Sequence, residues 1–179
     1  FNCPKIDDDH DYNWGYVATV DGLLFGSSVR SGNFYTDGRG PWYDDSGFNN
    51  AQDSHKVLSD CLFAVDLAGN SQAWKYNGVI INSTIAIGGD QIYFVENRTP
   101  KVLQDKSRRL SGGKEWMALH LVALDVKTGK MVWDKDMQFE QRTPVFFSTY
   151  KDGTLIVLRS SPKSFDLRAI DAKSGKPLW

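Results

Sequence analysis

An eleven-residue pattern recurs along this chain and narrows the folds open to it more than any other feature. Residues 123–133 read Ala-Leu-Asp-Val-Lys-Thr-Gly-Lys-Met-Val-Trp, and residues 169–179 read Ala-Ile-Asp-Ala-Lys-Ser-Gly-Lys-Pro-Leu-Trp. Both fit Ala-x-Asp-x-x-(Thr/Ser)-Gly-Lys-x-x-Trp with every fixed residue in register. A more divergent copy at 64–74, Ala-Val-Asp-Leu-Ala-Gly-Asn-Ser-Gln-Ala-Trp, keeps Ala64, Asp66 and Trp74 and sets Asn70 where the others have Gly129 and Gly175. Asn follows Gly in its tolerance of a left-handed backbone, so that exchange is compatible with one shared turn.

Each copy reads as a hairpin. An alternating apolar strand enters a turn built on Asp, Thr/Ser and Gly, and a short second strand leaves it carrying the Trp. Upstream of each copy lies another strand pair: 15–20 with 23–29 around Asp21-Gly22, 84–87 with 91–96 around Gly88-Gly89-Asp90, and 145–150 with 154–159 around Asp152-Gly153. Four antiparallel strands per unit, repeating at about 45 residues with little helical periodicity, are the signature of propeller blades. The fold class expected is all-β: a partial β-propeller of three four-stranded antiparallel blades taken from a larger ring. The blades are expected at 1–78, with an N-terminal lead-in and a long insertion, at 79–137, also with an insertion, and at 138–179.

Such a sheet cannot bury its own faces, so it must stack on its neighbours. A Trp near the outer edge offers a large flat surface for stacking, a small Ala leaves room for the indole, and Gly permits the turn. The residues assigned to this structural role are Ala64, Asp66, Trp74, Ala123, Asp125, Thr128, Gly129, Trp133, Ala169, Asp171, Ser174, Gly175 and Trp179.

These repeats resemble the tryptophan-docking motifs of the quinoprotein family, the pyrroloquinoline-quinone (PQQ) type β-propellers. The resemblance implies that Trp74 rests on Ala64 and the Thr128-Gly129 turn, and that Trp133 rests on Ala123 and the Ser174-Gly175 turn. It leaves Trp179 waiting for the turn of a fourth blade. Propellers of this family have about seven or eight blades, so three leave two open sides that invite self-association. The family includes periplasmic dehydrogenases that oxidise alcohols or sugars with PQQ and calcium, and also scaffolds that bind proteins without a cofactor. The resemblance therefore implies a periplasmic or extracytoplasmic address and admits PQQ and calcium. The adjacent-cysteine pair of many such dehydrogenases, a Cys-x-x-Cys-His haem site and a placeable catalytic Asp or calcium-ligand set are missing from this sequence.

Bulk properties exclude more than they assign. A net charge of −1 gives no support to nucleic-acid binding, and no apolar run approaches the roughly 20 residues a bilayer span needs. The chain starts at Phe1 without Met or signal peptide and reads as a processed or excised piece. Cys3 and Cys61 make no disulfide scaffold; they pair only if the fold joins them, and otherwise Cys61 is a buried thiol and Cys3 unrelated. Asn82-Ser83-Thr84 and Asn97-Arg98-Thr99 match the glycosylation pattern, a match short enough to arise by chance.

Two insertions, at about 31–57 and 97–118, separate the second and third strands of the first two blades. The first carries Asp37, Trp42, Tyr43, Asp44, Asp45, Asp53 and His55; the second is basic, with Arg98, Lys101, Lys106, Arg108, Arg109 and Lys114. Three readings stay open: ordered lids that pair through opposite charge, a binding surface in which Trp42, Tyr43, Asp44, Asp45, Arg108 and Arg109 meet a protein or anionic ligand, or a catalytic site with Asp44 or Asp45 near a metal. The Asp7-Asp8-Asp9-His10-Asp11 run lacks the spacing of a calcium loop and reads as a solvated acidic segment. His55 and His120 have no partner at metal or triad spacing. The function expected is a binding or scaffold module, with a PQQ- and calcium-dependent dehydrogenase as the alternative. No catalytic or cofactor-binding residue is assignable from the sequence.

Overall fold

The computed structural model describes residues 2–33, 56–106, 108–110, 113–137, 146–160 and 164–179, with backbone alone at 109, 113 and 114. Strands dominate. One antiparallel sheet runs in the order β1 (Tyr12–Val20), β2 (Leu23–Arg30), β3 (Lys56–Asp66), β4 (Ser71–Gly88), β5 (Gln91–Asn97), β7 (Leu119–Asp125) and β8 (Met131–Met137). The short β6 (Arg109–Leu110) adds to β3, and a second sheet holds β9 (Phe146–Lys151), β10 (Thr154–Ser160) and β11 (Phe165–Asp171), with β10 in the middle. The chain folds back after β11 so that Ile170 bridges Pro177.

Local chemistry explains the turns. Asp21 and Gly22 between β1 and β2 both have positive φ, as do Asp152 and Gly153 between β9 and β10, the geometry of two-residue hairpin loops. In the repeated turns Asn70 (φ 47°) adopts the left-handed conformation of Gly129 (66°) and Gly175 (68°). The Asp of each full copy closes its turn: Asp125 Oδ1 accepts from the Thr128 backbone N–H at 2.8 Å and hydroxyl at 2.6 Å, and Asp171 Oδ1 from those of Ser174 at 2.8 and 2.5 Å.

The division expected between residues 78 and 79 falls inside an unbroken strand. The first part of β4 pairs with β3 as far as Ile81, its last part pairs with β5, and Ile80 and Ile81 bond on both sides. At Gly78 a Cβ would sit 2.3 Å from Glu96 Oε1, so any larger residue there would have to displace this carboxylate.

Strand alternation sorts the apolar side chains into three layers. Leu62 and Ala64 of β3 face Ile92 and Phe94 of β5 and Val122 and Leu124 of β7, with Phe25 and Trp74 between them. The opposite faces of β5 and β7, with Tyr93, Val95, Leu121 and Ala123, pack on Phe146, Leu155, Val157 and Ile170 of the second sheet. The middle strands are thus buried on both sides, which is why Ile-Tyr-Phe-Val and Leu-Val-Ala-Leu run without a polar break. The remaining face of β3, with Cys61, Phe63 and Val65, meets Trp14, Leu24 and, from the segment before β1, Cys3 and Ile6. One of the two sides expected to be open is therefore partly covered by the chain itself. Among the described residues the far face of the second sheet has no such cover: Phe147 and Leu167 flank Leu158 in register, and both are about half exposed.

Candidate functional site

Two contacts of the same kind join the layers. Trp74 lies opposite Ala64 on the neighbouring strand, its indole N–H donates to the Val126 carbonyl at 2.9 Å, and its ring sits where a Cβ on Gly129 would intrude at 2.6 Å. Trp133 lies opposite Ala123, donates to the Ala172 carbonyl at 2.9 Å and abuts Gly175 in the same manner. Sequence reading named the Ala and Gly partners; the carbonyl acceptors, each one residue after the motif Asp, carried no side-chain signal. Trp179 exchanges backbone hydrogen bonds with Ala169, but its indole is 69% exposed.

The insertion at 97–118 is not a simple loop, because its polar backbone and its apolar side chains both find partners. Thr99 leads into a helix, α1 (Pro100–Gln104), started by its proline, and a 3-10 turn at Gly113–Trp116 precedes β7. Asn97, fully buried, donates to the Glu115 carbonyl at 2.6 Å and accepts from the Thr99 N–H at 2.9 Å, while Val102, Leu110 and Trp116 join the core. β6 then pairs with Lys56 and Val57, tying the insertion to β3.

A buried carboxylate fastens this end. Asp60 accepts from Arg30 Nε at 2.6 Å, Arg108 Nε at 2.5 Å and the Tyr12 hydroxyl at 3.1 Å. Arg30 also donates to the Lys106 carbonyl, and Arg108 to those of Val102 and Leu103. The Arg108 side chain, one of the candidate contact residues, is 12% exposed and bound within the chain through Nε and Nη1. The acidic N-terminal run is likewise partly engaged: Asp7 accepts from His10 at 2.8 Å and from Tyr12 at 3.2 Å, bonds that hold its carboxyl below the usual range. Burial, reinforced by Asp60, pushes the Tyr12 phenol far up.

A second polar cluster lies at the seam between the first two layers. Arg98 Nε and Nη2 donate to Glu96 Oε2 at 2.8 and 2.6 Å, and Arg98 Nη1 donates to Asp134 Oδ2 at 2.7 Å. Asp134 Oδ1 in turn meets His120 Nδ1 at 2.8 Å, and the Tyr76 hydroxyl donates to Glu96 at 3.0 Å. Burial raises the Asp134 carboxyl, but the hydrogen bonds from His120 and Arg98 outweigh it and leave it lowered; burial and then Glu96 push Tyr76 up to about 12. His120, with no partner by sequence spacing, acquires one only through the β7–β8 hairpin. The signal was present in the repeat: if Ala123 faces Trp133, then His120 and Asp134 both project from the opposite face.

Of the expected binding residues, Trp42, Tyr43, Asp44 and Asp45 lie outside the described residues, as do Asp37, Asp53, His55 and the Arg109 side chain. Among the described residues no group of three or more His, Cys, Asp or Glu side chains is arranged to hold a metal. Cys3 and Cys61 are free thiols. Asn82 and Asn97 are both buried, Asn82 accepting from Ser27 and Ser59, so neither presents itself for glycosylation in the folded chain.

No family model matches this chain, and no curated protein matches it in sequence. Solved structures do match it in shape. A quinohemoprotein alcohol dehydrogenase from Comamonas testosteroni aligns over 91% of the chain with a TM-score of 0.50 and 15% identity, and one from Pseudomonas putida HK5 over 91% with 0.51 and 14%. The exotype rhamnogalacturonan lyase YesX aligns over 98% with a TM-score of 0.55 and 14% identity. The fold is that of a β-propeller. The chain spans only 20%, 19% and 34% of those three proteins. Alcohol oxidation and rhamnogalacturonan cleavage are unrelated chemistries, so the likeness reports a shared scaffold.

Proposed function

We infer that this chain is part of a PQQ-like, quinoprotein-type β-propeller and serves as a binding or scaffold module. The observation that carries the reading is the anchoring of the insertion at 97–118. It is built on the sheet by β6, and Arg30, Arg98 and Arg108 are neutralised by carboxylates of the same chain. Such an insertion forms a fixed platform at the end of the strands, where binding residues are commonly carried. Blades at 1–78, 79–137 and 138–179 remain the proposed division, with its first boundary inside the continuous strand β4. The Trp74 and Trp133 contacts act as docking between blades, and Trp179 with the far face of the second sheet meets a further blade or a second copy. Trp42, Tyr43, Asp44 and Asp45, with Arg109, remain the proposed contact residues for a protein partner. The address proposed is periplasmic or extracytoplasmic; no helix among the described residues is long and apolar enough to cross a membrane.

The alternative is a portion of a PQQ- and calcium-dependent dehydrogenase, favoured by the shape shared with two quinohemoprotein alcohol dehydrogenases. Titration of the whole protein that carries these residues with PQQ and calcium, followed by absorbance and calorimetry, separates the two. The scaffold reading expects no saturable uptake. Saturable, stoichiometric binding would overturn it in favour of the dehydrogenase.

A further inference from the structure

We propose that Cys3 and Cys61 form a disulfide that fastens the segment before β1 onto the outer face of β3. Cys61 lies directly opposite Ser28 on the neighbouring strand and is fully buried, while Cys3 arrives from a distant part of the chain. Both sulfurs converge on one atom: Cys3 Sγ is 3.0 Å and Cys61 Sγ 3.2 Å from the Ser28 hydroxyl oxygen. The two sulfurs are therefore at most roughly 6 Å apart, a gap that side-chain rotation and a small shift of the lead-in segment can close to the roughly 2 Å of a disulfide bond. Ser28 keeps a place of its own afterwards, because its hydroxyl already donates to the Pro4 carbonyl at 2.9 Å. The thiols sit among Ile6, Trp14, Leu24, Phe63 and Val65, an apolar layer to which the lead-in segment contributes Cys3 and Ile6. Two thiols held at one hydroxyl, one buried and one partly open, are placed for a cross-link.

The oxidant is a small disulfide such as oxidised glutathione. The Cys3 thiolate attacks one of its sulfurs, forming a mixed disulfide and releasing one glutathione. The Cys61 thiolate then attacks the Cys3 sulfur and releases the second. Two protons leave the protein thiols and two electrons pass to glutathione, so the balance is complete. Cys3 is the entry point, because it is only partly buried. Burial pushes the Cys61 thiol up to about 11, which makes closure slow near neutrality and faster as pH rises.

The test is oxidation of the 179-residue chain with excess oxidised glutathione at pH 8.5. The expected product is a monomer lighter by about 2 Da. Its non-reduced tryptic digest joins residues 1–5 to residues 57–75. Tying off a loop of roughly 60 residues should raise Tm by about 5–10 °C, reversibly on reduction. Cys3→Ser should abolish the mass change and the Tm shift while folding normally. The proposal is overturned if both thiols remain alkylatable after unfolding, if the reaction halts at one glutathione adduct, or if it gives Cys3-linked dimers.

Discussion

The indole N–H of Trp133 donates to the carbonyl of Ala172 at 2.9 Å, across the gap between the two sheets. The same bond joins Trp74 to Val126 one layer earlier. Each combines burial of a large ring with satisfaction of a carbonyl that would otherwise face an apolar layer. Trp133→Ala is expected to cost about 3–5 kcal/mol in chemical denaturation. Trp133→Phe, which retains much of the packing but orphans the carbonyl, should cost about 1–3 kcal/mol. Unchanged stability in Trp133→Phe would show that the hydrogen bond contributes nothing.

Gly129 and Asn70 occupy equivalent turns yet should respond differently. At Gly129 a Cβ would collide with the Trp74 ring, and φ is +66°. Gly129→Ala should therefore destabilise by about 2 kcal/mol or more. Asn70→Gly should change stability by only a few tenths of a kcal/mol, roughly. Urea midpoints of the two variants check both expectations.

Asp60 holds two arginines at one buried point. Asp60→Asn leaves both cations short of their counter-charge and is expected to cost about 3–5 kcal/mol. Arg108→Ala removes one partner along with the bonds to the Val102 and Leu103 carbonyls, and should lower Tm by several degrees, roughly. An unchanged Tm for Arg108→Ala, accompanied by loss of a binding partner, would instead restore it to the contact surface.

Acid should weaken the repeated turns. The hydrogen bonds from Thr128 and Ser174 hold the Asp125 and Asp171 carboxyls below their ordinary value of 3.8. A carboxyl depressed by folding contributes its stability above the unfolded value, and that contribution disappears as pH falls through the folded one. Tm should stay level for these groups from pH 7 to about 5 and decline below about 4. In Asp125→Asn with Asp171→Asn the acid-dependent decline should be shallower.

The face carrying Phe147, Leu158 and Leu167 should drive concentration-dependent association. Sedimentation should show oligomers that Leu167→Glu disperses without loss of strand signal. A monomer at high concentration for the unaltered chain would count against an uncovered docking face.

Much of the architecture was legible because it is local. Asp-Gly pairs, alternating strands and the Ala–Asp–Gly–Trp spacing act over a few residues, and each turn conformation follows from its own side chains. The continuity of β4 was not legible, since it depends on pairing with β3 along its first part and with β5 along its last, two strands distant in sequence from one another. Nor was the inward turn of Arg108, which needs Asp60 and Arg30 brought beside it. The sequence alone determined that Trp74, Trp133 and Trp179 end three equivalent hairpins. Only the tertiary structure decided that two of those indoles are buried against a following turn, that the third is exposed, and that Cys3 and Cys61 meet at Ser28. Those outcomes rest on contacts between distant segments, whose partners are set by packing and not by spacing along the chain.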